Sequence, residues 1–236
     1  MNTNYLLLSV STATFGFLIW FAMSASLRLP KMFQIQFDIN RPYMNRFLRR
    51  RILMFILYVL VPYVLIYDFN ILGVTTLSEL DINFFWNQRS TLWVVILVPV
   101  VIIVNFFISK TTPNLSEFPE IRLTRWTLKL YLLSAITWAF QIFAQEFLYR
   151  GMLLQSLRMC GLSDMMAIII STGVYALTQY FQRSLVSITN ILYGLLACYI
   201  VIDTNSLLPV FVIHLANALF AEWFAIWRHP EIGIAS

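Results

Sequence analysis

The sequence predicts an all-α protein, a polytopic transmembrane helix bundle of about seven spans. Three observations carry that expectation. Hydrophobic residues fill 60% of the 236 positions and charged residues 11%, with a mean hydropathy of +0.76. A water-soluble domain of that composition would have almost no polar exterior. The apolar residues also fall in runs long enough to cross a bilayer, and the basic residues fall between those runs. Placed there, they meet anionic headgroups, and this rather than a nucleic-acid partner accounts for the net charge of +5 and the pI near 9.4. With 7 Gly and 8 Pro, the chain is neither fibrous nor low-complexity.

The first run extends from about Tyr5 to Leu27. Met1-Asn2-Thr3-Asn4 lacks the basic segment of a signal peptide, so this run reads as a retained helix. A second covers about Ile52 to Tyr67, with Pro62 expected to kink it. The third covers about Thr91 to Ser109, and the fourth runs from near Lys129 towards Met159. The fifth covers about Met165 to Phe181, the sixth about Leu185 to Ile202, and the seventh about Leu207 to Trp227. The second and fifth are short for a hydrocarbon core of ~30 Å, which marks at least one as partly interfacial. Three regions follow: N-terminal helices and cytoplasmic loops over 1–128, a core over 129–228, and a tail over 229–236.

Orientation follows from the Lys and Arg count. Arg28, Lys31, Arg41, Arg46, Arg49, Arg50 and Arg51 lie between spans one and two. Lys110, Arg122, Arg125 and Lys129 lie between spans three and four, and Arg183 and Arg228 fall on the same side. Thirteen of the 16 basic residues therefore share one face, leaving Arg89, Arg150 and Arg158. That face is expected in the cytoplasm, with the N-terminus outside and the C-terminus inside. Trp86, Trp93, Trp126, Trp223 and Trp227 fall near span ends, where they suit either an aromatic belt or ordinary packing. Thr111 to Arg125, with Pro113, Glu117, Pro119 and Glu120, reads as a cytoplasmic loop leading into a short interfacial helix. Cys160 and Cys198 lie in apolar surroundings and read as buried small hydrophobes.

Polar groups inside the spans are the candidates for function. A central charge costs about 2.5–3.5 kcal/mol on insertion scales unless paired or hydrated. Span four contains Gln145, Glu146 and Arg150. Glu146 and Arg150 are one helical turn apart, so they either neutralise each other within the packing or line a polar cavity. Span five has Tyr175 and Gln179 at one-turn spacing, with Thr178 and Gln182 nearby. Span seven carries His214 and Asn217 on one face. Asn190, near the start of span six, suits a cap or the same cavity, and His229 lies at the membrane edge.

The chemistry open to these residues is narrow. His214 and Glu146 make two ligands where catalytic zinc takes three, and no metal or other cofactor is expected. No serine sits in a nucleophile elbow. One scheme fits: Glu146 activates a water while His214 and Asn217 donate to a developing oxyanion, hydrolysing a peptide bond at membrane depth.

From about Ile142 to Phe220 the chain resembles the CAAX prenyl protease and bacteriocin-processing (Abi) family of intramembrane peptidases. The family's Glu-Glu-Phe-x-x-Arg-Gly motif is matched by Gln145-Glu146-Phe147-Leu148-Tyr149-Arg150-Gly151. Its Phe-x-x-x-His motif is matched by Tyr175 to Gln179, and its His followed by Asn by His214 and Asn217. Tyr193-Gly194-Leu195-Leu196-Ala197 and Thr204-Asn205-Ser206-Leu207-Leu208-Pro209 resemble the Gly-rich helix and turn between them. The resemblance implies a CAAX-protease-like core at 129–228, with Glu146, Arg150, His214 and Asn217 as catalytic residues. It implies a bacterial plasma membrane or the endoplasmic reticulum, with lipids and a membrane-embedded or lipidated peptide as partners.

The departures fall on the expected base. The first Glu and the second-motif His are Gln145 and Gln179 here, and a carboxamide cannot take up a proton. Two readings follow. One is an endopeptidase whose base has moved to Glu146. The other is a pseudopeptidase that binds a membrane helix or lipidated tail as scaffold, chaperone or regulator. A transporter with a midplane polar site ranks below both, because no inverted repeat is evident. Ala216 and Ala218 suit a helix interface within the bundle or between copies.

Overall fold

Asn87 starts the third span. Its side chain accepts from the backbone N–H of Ser90 at 2.8 Å, satisfying one of the donors that a helix start leaves open. Thr127 caps the fourth in the same way, accepting from Leu130 N–H at 3.3 Å. The computed structural model describes residues 2–26, 41–110, 118, 120, 125–182, 188–228 and 233–234. Among them the chain forms seven helices of an integral membrane protein.

Helix α1 comprises Asn2–Ser11, a π-helical turn Thr12–Gly16 and Phe17–Ser26. Helix α2 comprises Arg41–Phe55, a π-helical turn Ile56–Leu60 and Val61–Tyr67. Helix α3 is Gln88–Ile108, and α4 comprises Leu128–Glu146, a π-helical stretch Phe147–Leu153 and Leu154–Met159. Helices α5, α6 and α7 are Asp164–Gln182, Ile188–Thr204 and Leu208–Arg228. Two residues before α4 and two near the C-terminus form a parallel ladder, Arg125 opposite Gly233 and Trp126 opposite Ile234.

Thr3–Met23, Phe47–Tyr67, Gln88–Ile108 and Leu208–Arg228 are long and apolar enough to cross a membrane by length and composition. Helix α3 packs one stripe on the core, through Trp93, Val94, Leu97, Val98 and Val101, and turns the rest outward; Ser90 and Asn105 are its buried residues. The outward stripe, with Leu92, Val95, Ile96, Val100 and Ile103 exposed, suits a lipid-facing surface. Helices α4 and α7 line the polar interior, where buried Ser134, Thr137, Gln141 and Glu222 lower their apolar character. The main core joins Tyr5 of α1, Tyr58 of α2, Phe147 and Tyr149 of α4, Ile200 of α6 and Ile213 of α7.

Several expectations need correction. The second span is not short: α2 contributes 21 residues from Phe47 to Tyr67. The run of arginines concealed its first turn, because Arg51 is buried within the bundle rather than placed in a loop. The disturbance expected at Pro62 takes the form of the π-helical turn Ile56–Leu60 just before it. A proline lacks the N–H that the preceding turn would use, and a wider turn absorbs that loss. Trp126 is fully buried, whereas Trp86 and Trp227 are exposed at helix ends. Cys198 is buried but Cys160, just past α4, is only half-buried. Asn190 lies inside the first turn of α6, past the cap position.

The loop after α2 is built locally. Thr76 and Glu79 close a reciprocal cap on the short 3₁₀ helix Leu77–Leu80. Hydrogen bonds from Thr75 and Thr76 hold the Glu79 carboxyl below the usual carboxylate range. The loop then docks on the turn before α7, Leu207 N–H donating to Asn83 O at 3.0 Å. The loop and interfacial helix expected over Thr111–Arg125 lie outside the described residues, apart from Phe118, Glu120 and the backbone of Arg125. Arg28, Lys31, Arg183, His229 and the Gln182 side chain lie outside them as well.

Candidate active site

Glu146 is the last residue of the regular first part of α4, and Arg150 lies in the π-helical stretch that follows. Such wide turns are uncommon and concentrate at functional sites. The stretch is fixed from two sides. Tyr5 of α1 donates its hydroxyl to Gly151 O at 3.2 Å. A β-carbon on Gly151 would stand 3.1 Å from Leu207 Cδ1, tighter than most real contacts. Ser171 of α5 donates to Tyr149 O at 2.7 Å, and Tyr149 Oη shares a hydrogen bond with Thr178 Oγ1 at 2.8 Å.

Within this frame the bundle brings Glu146 to His214, 68 residues away. Glu146 Oε1 lies 2.5 Å from His214 Nδ1 and 3.4 Å from the hydroxyl of Tyr193, which donates to it. Its other oxygen, Oε2, lies 3.4 Å from Arg150 Nε, an ion pair without hydrogen-bond geometry. Both carboxylate oxygens are thus engaged. The Glu146 side chain is 1% exposed and the His214 side chain 11%, so the imidazole is the part of the pair that reaches open space. The carboxylate can only accept in the short bond, so Nδ1 is its donor and Nε2 is the ring nitrogen that Glu146 does not engage.

Arg150 is fully buried, with its guanidinium carbon 4.2 Å from the Tyr175 ring centre and 5.8 Å from that of Tyr193. Ring faces offer this cation an attractive surface that costs no hydrogen-bond acceptor. Among the described residues its three nitrogens have no hydrogen-bond partner. Tyr193 also packs on His214, ring centres 4.6 Å apart. Gln145 and Gln179 are both buried, and Asn217 is half-buried one turn after His214. Asn217 Oδ1 accepts a hydrogen bond from Asn105 Nδ2 of α3 at 2.8 Å. No group of three or more His, Cys, Asp or Glu among the described residues could hold a metal ion.

Residues 127–220 match the family described as type II CAAX prenyl endopeptidase Rce1-like. Over this region the chain is similar to that family. Gln145, Glu146, Arg150, Tyr175, Gln179, His214 and Asn217 all fall inside it. Comparison with curated proteins and with solved structures returns no match. The match runs from α4 into α7, and three of the four candidate spans, Thr3–Met23, Phe47–Tyr67 and Gln88–Ile108, precede it in the chain.

A second polar cluster lies outside the CAAX-protease motifs. Arg51 Nη2 pairs with Glu120 Oε2 at 2.8 Å and with Glu222 Oε1 at 3.7 Å. Arg51 Nη1 donates to Ser134 Oγ and Thr137 Oγ1 at 3.1 and 3.0 Å, and the guanidinium stacks 4.0 Å from the Trp138 ring centre. Ser134 Oγ and Trp138 Nε1 donate to Glu222 Oε2 at 2.6 and 3.0 Å. Sequence reasoning missed Glu222 and Asn105, and it counted Arg51 among loop charges. The signal was available, since Glu222 and Asn105 are polar groups within apolar runs, the criterion that singled out Glu146.

Proposed function

We propose that the chain is an intramembrane endopeptidase in which the Glu146–His214 pair supplies the general base. One observation carries this reading: the 2.5 Å contact between Glu146 Oε1 and His214 Nδ1 in a buried setting. Glu146 is a poor direct base, because both of its oxygens are already engaged. His214 is a good one, because Glu146 fixes its tautomer and stabilises the imidazolium as it forms.

In the proposed step, His214 Nε2 takes a proton from water as the water oxygen attacks the peptide carbonyl carbon. The carbonyl oxygen becomes an oxyanion and receives the Asn217 side-chain N–H. His214 then returns its proton to the amide nitrogen as the C–N bond breaks, leaving a carboxylic acid and an amine. Arg150 holds Glu146 by charge, and Tyr193 holds both members of the pair. The proposed substrate is a membrane helix or lipidated tail, a reading supported by the position of His214 and Asn217 inside the apolar helix Leu208–Arg228.

A second reading, binding without cleavage, is favoured by the two buried carboxamides Gln145 and Gln179 where the family carries its base. Purified protein in liposomes, given a panel of lipidated tails and membrane helices, separates the two. Mass analysis of cleaved products from wild type, absent with His214→Gln, supports the peptidase. A silent wild type made active by Gln145→Glu with Gln179→His supports the binding protein.

A further inference from the structure

Asn105 is out of character with its helix. It lies one turn from the end of α3, on the stripe where Val94, Leu97, Val98 and Val101 pack on the core, and it is 7% exposed. Its Nδ2 makes two contacts of 2.8 Å, one to the carbonyl of Val101 in its own helix and one to Oδ1 of Asn217 in α7. The same nitrogen lies 3.5 Å from the Asn217 carbonyl. A carbonyl can only accept, so the Val101 contact fixes which end of the Asn105 carboxamide is NH2. With its NH2 turned to α7, Asn105 can be met there only by the oxygen of Asn217. The NH2 of Asn217 must then point away from α3.

We propose that Asn105 is a positioning residue that sets the Asn217 carboxamide so that its N–H groups, not its oxygen, face the reacting carbonyl. The inference rests on the peptidase reading, in which Asn217 is the oxyanion donor. A carboxamide is ambiguous by nature, since rotating it by half a turn exchanges donor for acceptor with little change in shape. An acceptor facing a developing negative charge would oppose the reaction, so an oxyanion site built on asparagine needs a device that removes the wrong rotamer. Asn105 is that device, and the Val101 carbonyl is its fixed reference. The competing account is polar adhesion between α3 and α7, in which the pair holds the helices together and nothing more.

A double-mutant cycle separates the accounts. Asn105→Leu keeps the volume and removes the donor, and it is expected to lower kcat roughly a hundredfold with KM unchanged. In an Asn217→Ala background the same change is expected to have no further effect, because no carboxamide remains to orient. Asn105→Gln, which keeps the NH2 on a longer arm, is expected to restore part of the loss. A loss of equal size in both backgrounds, or one carried by KM, overturns the proposal in favour of adhesion. Selective ¹⁵N-asparagine labelling in micelles gives a readout that needs no turnover. The Asn217 NH2 signals are expected to be two resolved, slowly exchanging protons in wild type and to broaden or merge in Asn105→Leu. Unchanged signals overturn the proposal even if wild type cuts no substrate, and that silence by itself counts only against the peptidase reading.

Discussion

His214 Nδ1 and Glu146 Oε1 stand 2.5 Å apart across the α4–α7 interface, and Glu146 Oε2 faces Arg150 on its other side. The carboxylate is therefore a holder of other groups rather than a group awaiting substrate. Glu146→Gln keeps the shape, but its amide can donate to Nδ1 and so favours the wrong tautomer. It is expected to lower kcat by about 10³–10⁴ while the protein still inserts. Rates on one cleaved peptide, with expression compared by immunoblot of membranes, check this.

Arg150 and Arg158 lie two turns apart on α4 in opposite circumstances. Arg150 is fully buried against Glu146, whereas Arg158 pairs with Asp164 at 2.8 Å and Gln155 at 2.7 Å near the helix end. Removing one partner of a buried pair costs about 3–5 kcal/mol, while an exposed pair contributes about 0–1 kcal/mol. Arg150→Ala is thus expected to reduce the amount of folded protein far more than Arg158→Ala. Equal yields from size-exclusion chromatography would contradict this.

The second cluster predicts an asymmetry. Arg51→Leu takes the Arg51 cation from the fully buried Glu222 carboxylate, whereas Glu222→Leu leaves Arg51 with Glu120, Ser134 and Thr137. Arg51→Leu is expected to be the more destabilising, by about 3–5 kcal/mol. Thermal unfolding midpoints in detergent test the order.

Gly194 of α6 approaches α5 so closely that a β-carbon would stand 2.8 Å from Thr172 Cγ2. Gly194→Ala forces the two helices apart and is expected to cost about 1–3 kcal/mol. Thr172→Ala should relieve much of that cost, and the unfolding midpoint of the double variant measures it.

The helices were legible because lipid imposes one rule, a long apolar run, and six of the seven runs fall within three residues of the observed helices. The exception is α2, where Arg51 broke the run on paper but is satisfied in space by partners from three other segments. The Glu146–Arg150 pair was legible because its members are one turn apart. The Glu146–His214 contact was not, since 68 residues separate them and no periodicity links one helix to another. That distance is why Glu146 read as a free base from sequence and as an occupied one in the structure. Asn105 was passed over because a single amide in an apolar run carries no charge to draw notice.

The central claim is that Glu146 and His214 work as one unit. Its most direct measurement is kcat on one cleaved membrane peptide for wild type, Glu146→Gln, His214→Gln and the double variant. Members of a unit lose nearly everything singly, so the account predicts that the double variant is scarcely slower than His214→Gln alone. Independent losses that multiply, or a His214→Gln enzyme that still turns over while Glu146→Gln does not, would contradict it and return the base to Glu146.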